Sequence, residues 1–158
     1  MHELTVGQPV PDFTLTAANG ESVTLSEFRG RHVVLYFYPR NMTPTCTEQA
    51  CQFRDYSGEL GNMNTAVIGI SPDPVRSHHK FAAKYELPFP LLSDPDHQVA
   101  EQFGVWALKK LYGREYMGIV RSTFLIDKQG RLVREWRKVR MKGHLEEVEQ
   151  AVRAMEGN

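Results

Sequence analysis

The chain is almost without cysteine: two in 158 residues, Cys46 and Cys51. That excludes a disulfide-stapled secreted scaffold, which needs several bridges in place of a large core. Staples are not required either. A chain of this length buries roughly 70% of the surface its unfolded form exposes. Length alone predicts one domain, residues 1–158. Net charge is absent too, since 19 basic and 19 acidic side chains cancel. That balance argues against nucleic acid or an anionic membrane as partners. The start, "MHELTVGQPVPDF", lacks a basic segment followed by an apolar core, and no apolar run reaches transmembrane length. The expected setting is cytoplasmic, with reduced thiols. Repeats, linkers and low-complexity stretches are also missing.

What is present alternates between strand and helix patterns. Phe13 and Leu15 point one way, Thr14 and Thr16 the other. Asn19-Gly20 then supplies a turn and "ESVTL" resumes the alternation, which predicts a β-hairpin. "SEFRG" reads as one helical turn closed by Gly30. "HVVLYFY" and "TAVIGIS" are apolar without polar alternation, as expected of strands buried on both faces. "CTEQACQFRDYSGEL" is helix-like. So is "DPVRSHHKFAAKYEL", with Asp73 as N-cap and Pro74 at the first helical position. "FPLLSD" predicts a short strand, "DHQVAEQFG" a short helix, and "STFLIDKQGRLVREWRKV" two strands around Gly130. Leu145, Val148, Val152 and Met155 form the apolar stripe of a terminal helix. The pattern predicts an α/β fold with a central mixed sheet flanked by helices.

Both cysteines lie in "YFYPRNMTPTCTEQAC", just past a buried strand. In open α/β sheets ligands sit at the carboxyl ends of strands. Thr43 precedes a proline, which disfavours helical backbone there. Thr45 and Glu48 fit a capping box. With either threonine as N-cap, Cys46 falls in the first helical turn, where unpaired N–H groups and the helix dipole favour a thiolate. From position alone, Cys46 is a nucleophile or a small buried apolar residue.

Pro39, Thr43 and Cys46 together spell P-x-x-x-T-x-x-C, which resembles the active-site motif of the peroxiredoxins. "YFYP" before it and "STFLID" after it, with Arg121 in front, resemble the same family. The C-x-x-x-x-C pattern is most similar to its PrxQ branch, the bacterioferritin comigratory proteins. The similarity runs from "VGQPVPDFTL" to the terminal helix. Thr45 stands where that branch usually has glycine, and Gln49 where glutamate is frequent; both bear on helix entry and peroxide access. The resemblance implies a thioredoxin-like fold and a thiol-dependent peroxidase acting on hydrogen peroxide and organic hydroperoxides. It implies no cofactor or metal, and thioredoxin or a similar thiol as reductant. The sequence shows no obvious apolar patch to expose, which leans to a monomer.

The resemblance also assigns roles. Cys46 is the attacking sulfur and Thr43 hydrogen-bonds the peroxide. Arg121 supplies permanent positive charge for thiolate and developing anion, and Pro39 shields the sulfur. Cys51 is the resolving thiol for the Cys46 sulfenic acid, or else a core residue of the same helix. In an unbroken helix the two Cα atoms lie about 8.7 Å apart, beyond the roughly 7 Å limit for a disulfide. Bridging them therefore requires that helix to open.

Two other readings share some of these features. A thioredoxin-like disulfide oxidoreductase normally carries C-x-x-C, which is not the spacing here. A non-catalytic module of the same fold would make Cys46 merely structural. A zinc site needs four ligands, and none of His2, His32, His78, His79, His97 and His144 falls near the cysteines; His78-His79 is expected on a solvated helix face.

Overall fold

The computed structural model describes residues 4–156; His2 and the two ends of the expected 1–158 domain lie outside it. The predicted N-terminal hairpin forms from β1 (Thr14–Ala17) and β2 (Ser22–Thr24), with Leu15 opposite Val23. Its turn is held by the Glu21 N–H donating to Asn19 Oδ1 at 2.9 Å. A single 3-10 turn, Leu25–Phe28, leads to β3 (His32–Phe37). Then follow α1 (Pro44–Asn62), β4 (Thr65–Ser71), α2 (Val75–Tyr85), β5 (Leu91–Ser93) and α3 (Gln98–Gln102). After these come β6 (Trp106–Leu111), β7 (Arg114–Ile119), β8 (Ser122–Ile126), β9 (Leu132–Arg137) and α4 (His144–Glu156).

Seven strands form one sheet in the order β2-β1-β5-β4-β3-β8-β9. β3 runs parallel to β4 and β4 to β5, while the other neighbours are antiparallel. The sheet is therefore mixed, as the sequence predicts. Burial explains the missing polar alternation in its centre. Val33, Leu35 and Phe37 face a core with Phe13, Ile70, Phe103 and Phe124. Val34, Tyr36 and Tyr38 face the opposite core, which α1, α2 and α4 supply with Phe53, Phe81 and Val148. With both faces covered, every position of β3 and β4 is buried.

Gly69 of β4 lies opposite Tyr36 on one side and Leu91 on the other. A Cβ there would come within 2.9 Å of Tyr36 Cζ and of Leu91 Cδ2. The absent side chain is the space that the Tyr36 ring occupies. That ring packs on Phe53 of α1, centroids 4.8 Å apart.

Three expectations need correction. Asp73 does not cap α2; Pro74 is the N-cap residue. The Asp73 carboxylate instead accepts from Ser71 Oγ at 2.6 Å and from the Asn41 N–H at 2.8 Å. His78 is not solvated: it is fully buried, and only its neighbour His79 is exposed. The apolar positions Phe81 and Tyr85 lie three and seven residues on, which places His78 on the inner face of α2. Lastly, the surface is not free of an apolar patch. The β6–β7 hairpin, which sequence patterning left unassigned, exposes Leu108, Leu111, Tyr112, Tyr116 and Met117. Its two-residue turn has positive φ at both Tyr112 and Gly113, a primed turn of the kind that joins tight hairpins. Tyrosine at the first position, where Asn or Asp is usual, hides that signal.

No helix of the described residues is long and apolar enough to cross a membrane. Phe124 packs edge-on against Phe37 and Phe103, at 5.7 and 5.2 Å, and is fully buried. Phe124→Ala should lower unfolding free energy by about 3–5 kcal/mol in urea denaturation, and a loss below about 1 kcal/mol would contradict this packing.

Candidate active site

The Tyr38 N–H still bonds Ile70 O at 3.1 Å, so the chain leaves the sheet only at Pro39. Residues 39–43 then turn it into α1. Met42 adopts a left-handed conformation, φ 69°, which costs a non-glycine residue of order 1–3 kcal/mol. Thr43 is the N-cap residue in extended conformation, with Pro44 at the first helical position. The helix thus starts before Thr45, and the expected Thr45–Glu48 capping box does not form. Nor does the Thr43 hydroxyl cap the helix; it donates to Arg40 O at 3.0 Å. Cys46 follows in the first turn and is 2% exposed.

Arg121 reaches Cys46 through strand register. β8 pairs with β3 so that Ser122 lies opposite Phe37. The preceding residue, Arg121, therefore lies beside the carboxyl end of β3, where α1 begins. Its Nη2 donates to Cys46 Sγ at 3.2 Å. Its Nη1 donates to Gln49 Oε1 at 2.6 Å. Gln49 is three residues after Cys46 and on the same helix face. The departure at position 49 thus bears directly on Arg121 rather than on helix entry. A neutral amide holds the guanidinium without cancelling its charge, which leaves that charge directed at the sulfur. Gln49 is 1% exposed, and among the described residues its Nε2 has no partner.

Two further side chains were not visible from sequence. The Tyr36 phenol is buried and without a hydrogen-bond partner among the described residues. Burial, with Cys46 adding to it, pushes its ionisation well above the usual tyrosine range. Lys109 of β6 donates from Nζ to Ile119 O at 2.8 Å. Desolvation, assisted by the Arg121 charge, lowers its ammonium below the usual lysine value. Lys109 and Trp106 line a groove of about 610 Å³ with Pro39, Thr43, Tyr116 and Met117. Pro39 and Thr43 thus share the lining of one groove.

Cys51 lies further along α1, half-buried, and both cysteines are free. The helix is continuous through both. Regular helical geometry separates their Cα atoms by about 8.7 Å, so the folded helix holds the thiols apart.

The AhpC/TSA family model matches residues 6–135. This chain is a peroxiredoxin of that family. Curated relatives agree along nearly the whole length. Peroxiredoxin Bcp of Bacillus subtilis is 51% identical over 152 residues, covering 96% of this chain and 97% of its own. Peroxiredoxin Bcp of Escherichia coli K12 is 48% identical over 132 residues, covering 84% and 85%. Among solved structures, a serine-for-cysteine mutant of Xylella fastidiosa PrxQ superposes with a TM-score of 0.92 at 34% identity, covering 98% of this chain and 99% of that one. The Xanthomonas campestris bacterioferritin comigratory protein, solved as trapped-intermediate and ligand complexes bearing on its alkyl peroxide reduction, gives 0.89 at 35% identity, covering 96% and 99%. The fold is thioredoxin-like, and the peroxiredoxin's activity is that of a thiol peroxidase. The disulfide-oxidoreductase and non-catalytic readings are thereby set aside.

The Arg121–Cys46 contact has a measurable consequence. In Arg121→Ala, alkylation of Cys46 by iodoacetamide at neutral pH should slow by roughly tenfold, from loss of a charge-assisted bond worth about 1.5–3 kcal/mol. Arg121→Lys should recover little, since an ammonium lacks the planar donor fork. Rates identical to wild type between pH 5 and 9 would show that the guanidinium does not act on this sulfur.

Proposed function

We propose that Cys46 is the peroxidatic nucleophile and that Cys51 resolves it within one chain. The observation that carries this reading is the Arg121 guanidinium 3.2 Å from a buried sulfur in the first turn of α1. The Cys46 thiolate attacks one peroxide oxygen. An S–O bond forms, the O–O bond breaks, and the departing alkoxide or hydroxide takes a proton. Charge develops on the leaving oxygen, where fixed donors act most strongly. Arg121 supplies one donor and the Thr43 hydroxyl a second, turning from Arg40 O to the substrate. Pro39 has no N–H to offer and closes one side of the approach.

The product is Cys46 sulfenic acid. The Cys51 thiolate attacks its sulfur, an S–S bond forms, the S–O bond breaks, and the departing hydroxide takes a proton from solvent to leave as water. A dithiol such as thioredoxin then reduces the bridge. Because both thiols are on one helix, no second chain is required and the unit acts as a monomeric single domain. Reduced cytoplasmic conditions fit two free thiols, and neither nucleic acid nor membrane enters the cycle.

The groove beside Pro39 and Thr43 accepts the organic substituent when the oxidant is an alkyl hydroperoxide, the substrate class reduced by the Xanthomonas campestris relative. Tyr116→Asp should therefore lower kcat/KM for cumene hydroperoxide by about tenfold through lost apolar contact, with hydrogen peroxide little changed. Equal losses on both substrates would refute a role for the groove.

The cycle itself is tested with thioredoxin, thioredoxin reductase and NADPH. Cys46→Ser should be inactive with any reductant, and turnover by it would end this reading. Cys51→Ser should still reduce peroxide with dithiothreitol, lose most thioredoxin-linked cycling, and over-oxidise more readily at Cys46. Non-reducing electrophoresis of oxidised wild type should show a faster monomer and no linked dimer. Amide exchange over residues 45–55 should be faster in oxidised than in reduced protein, because the bridge requires α1 to open there. Equal protection in both states, with the Cys46–Cys51 bond confirmed, would remove the need for opening.

A further inference from the structure

The segment that carries Pro39 and Thr43 is anchored from below by a buried polar cluster that none of the roles above uses. Asn41 is 5% exposed and His78 fully buried. Tyr38 OH donates to Asn41 Oδ1 at 2.6 Å, which orients the amide. Asn41 Nδ2 then faces Ser77 Oγ at 3.0 Å and His78 Nδ1 at 3.1 Å. An amide N–H₂ only donates, so His78 Nδ1 is the acceptor and the imidazole proton sits on Nε2. Nε2 lies 3.3 Å from Ser71 Oγ. Ser71 Oγ in turn donates to Asp73 Oδ2 at 2.6 Å. The same carboxylate oxygen accepts the Asn41 N–H at 2.8 Å. The chain of donors closes on the backbone of the active-site segment, one residue before the left-handed Met42 and two before Thr43.

We propose that the Asn41–His78–Ser71–Asp73 network is a positioning device for the peroxide site: with His78 neutral it holds residues 39–43 in the conformation that aims Thr43, and protonation of His78 releases them. This rests on the reading of Cys46 and Thr43 given above. The network is complete only for neutral histidine. A proton on Nδ1 would set two donors against each other at Asn41. The amide would have to turn over, taking the Tyr38 and Ser77 bonds with it. Asn41 would then grip the segment only through its backbone.

The titratable groups facing His78 are Asp73, from the segment between β4 and α2, and the phenol of Tyr38, the residue after β3, whose OH lies 3.3 Å from His78 Nδ1. β5 presents the backbone of Leu92, and α2 itself the uncharged Ser77 and Phe81. Burial pushes the imidazole below its usual value, opposed in part by the Asp73 charge and by the backbone of Ser71 and Leu92. The sign follows from that direction. The imidazole stays neutral, and the network intact, through neutral pH and down past 6.5, the ordinary histidine value. Release begins only as pH falls to the lowered folded value.

Two rates on the same protein separate geometry from thiol reactivity. Alkylation by iodoacetamide, quantified at Cys46 by mass spectrometry, reports the sulfur alone. Reaction with hydrogen peroxide also needs Thr43 in place. In wild type the ratio of peroxide to alkylation rate should be flat from pH 8 to 6.5 and fall below that. His78→Gln can accept from Asn41 and donate toward Ser71 without titrating. It should keep the ratio at pH 7.5 and lose the acid decline. Asn41→Ala should lower the peroxide rate on the order of 10- to 100-fold, as small misplacements of a positioned group do, with alkylation unchanged. The proposal is overturned by an acid decline that persists in His78→Gln, by a ratio in wild type that stays flat down to the onset of acid unfolding, or by equal losses of both rates in Asn41→Ala. The wild-type and His78→Gln profiles decide the matter even if Asn41→Ala does not fold. Turnover by Cys46→Ser would instead remove the underlying reading.

Discussion

A guanidinium nitrogen 3.2 Å from a buried sulfur ties together residues 75 positions apart in the chain. That contact requires α1 to start at Pro44, β8 to pair with β3 in one register, and Arg121 and the start of α1 to meet at the same end of those strands. A one-residue slip of β8 would turn the Arg121 side chain to the opposite face. The buried β3–β4 centre is what prevents the slip, because each strand has apolar side chains committed to two separate cores. The thiol site is therefore not a loop laid over a scaffold. It is where the register of the sheet and the start of a helix coincide.

The electrostatics of the site depend on what surrounds that pair. Gln49 fixes the guanidinium with an amide instead of a carboxylate. Tyr36 brings a hydroxyl that stays protonated, and Lys109 adds positive charge from the neighbouring hairpin. Packing along α1 is uneven. Cys46, Gln49, Ala50 and Phe53 are pinned in the core, while Thr45 and Glu48 face solvent. The first turns are thus held on one face only, and local opening draws on such segments before the central strands.

Much of this was legible in the sequence because it rests on local rules. The two-faced strands, the N-terminal hairpin and the helix start before Cys46 follow from apolar patterning, Asn-Gly and Thr-Pro. Arg121 was found through family resemblance, since its nearness to Cys46 depends on the pairing of β8 with β3, which periodicity does not encode. The role of Gln49 was hidden for the same reason. Its partner arrives from the far end of the chain. Asp73 and His78 were misread because each was judged by its own segment. Asp73 fits an N-cap locally, yet the approach of Asn41 gives its carboxylate better partners. The β6–β7 hairpin was missed because its charged and apolar residues alternate poorly and its turn opens with a tyrosine.

Gly69 carries no functional group, yet it is the hollow into which Tyr36 leans. Tyr36 packs on Phe53, and Phe53 seats the helix that bears both thiols. A single added carbon in the middle of β4 would thus be transmitted, through two aromatic rings, toward the start of α1 and Cys46. For anyone diversifying this chain, tolerance to substitution does not track distance from the chemistry. Exposed Thr45, one residue from Cys46, has more freedom to vary than an achiral residue in the next strand.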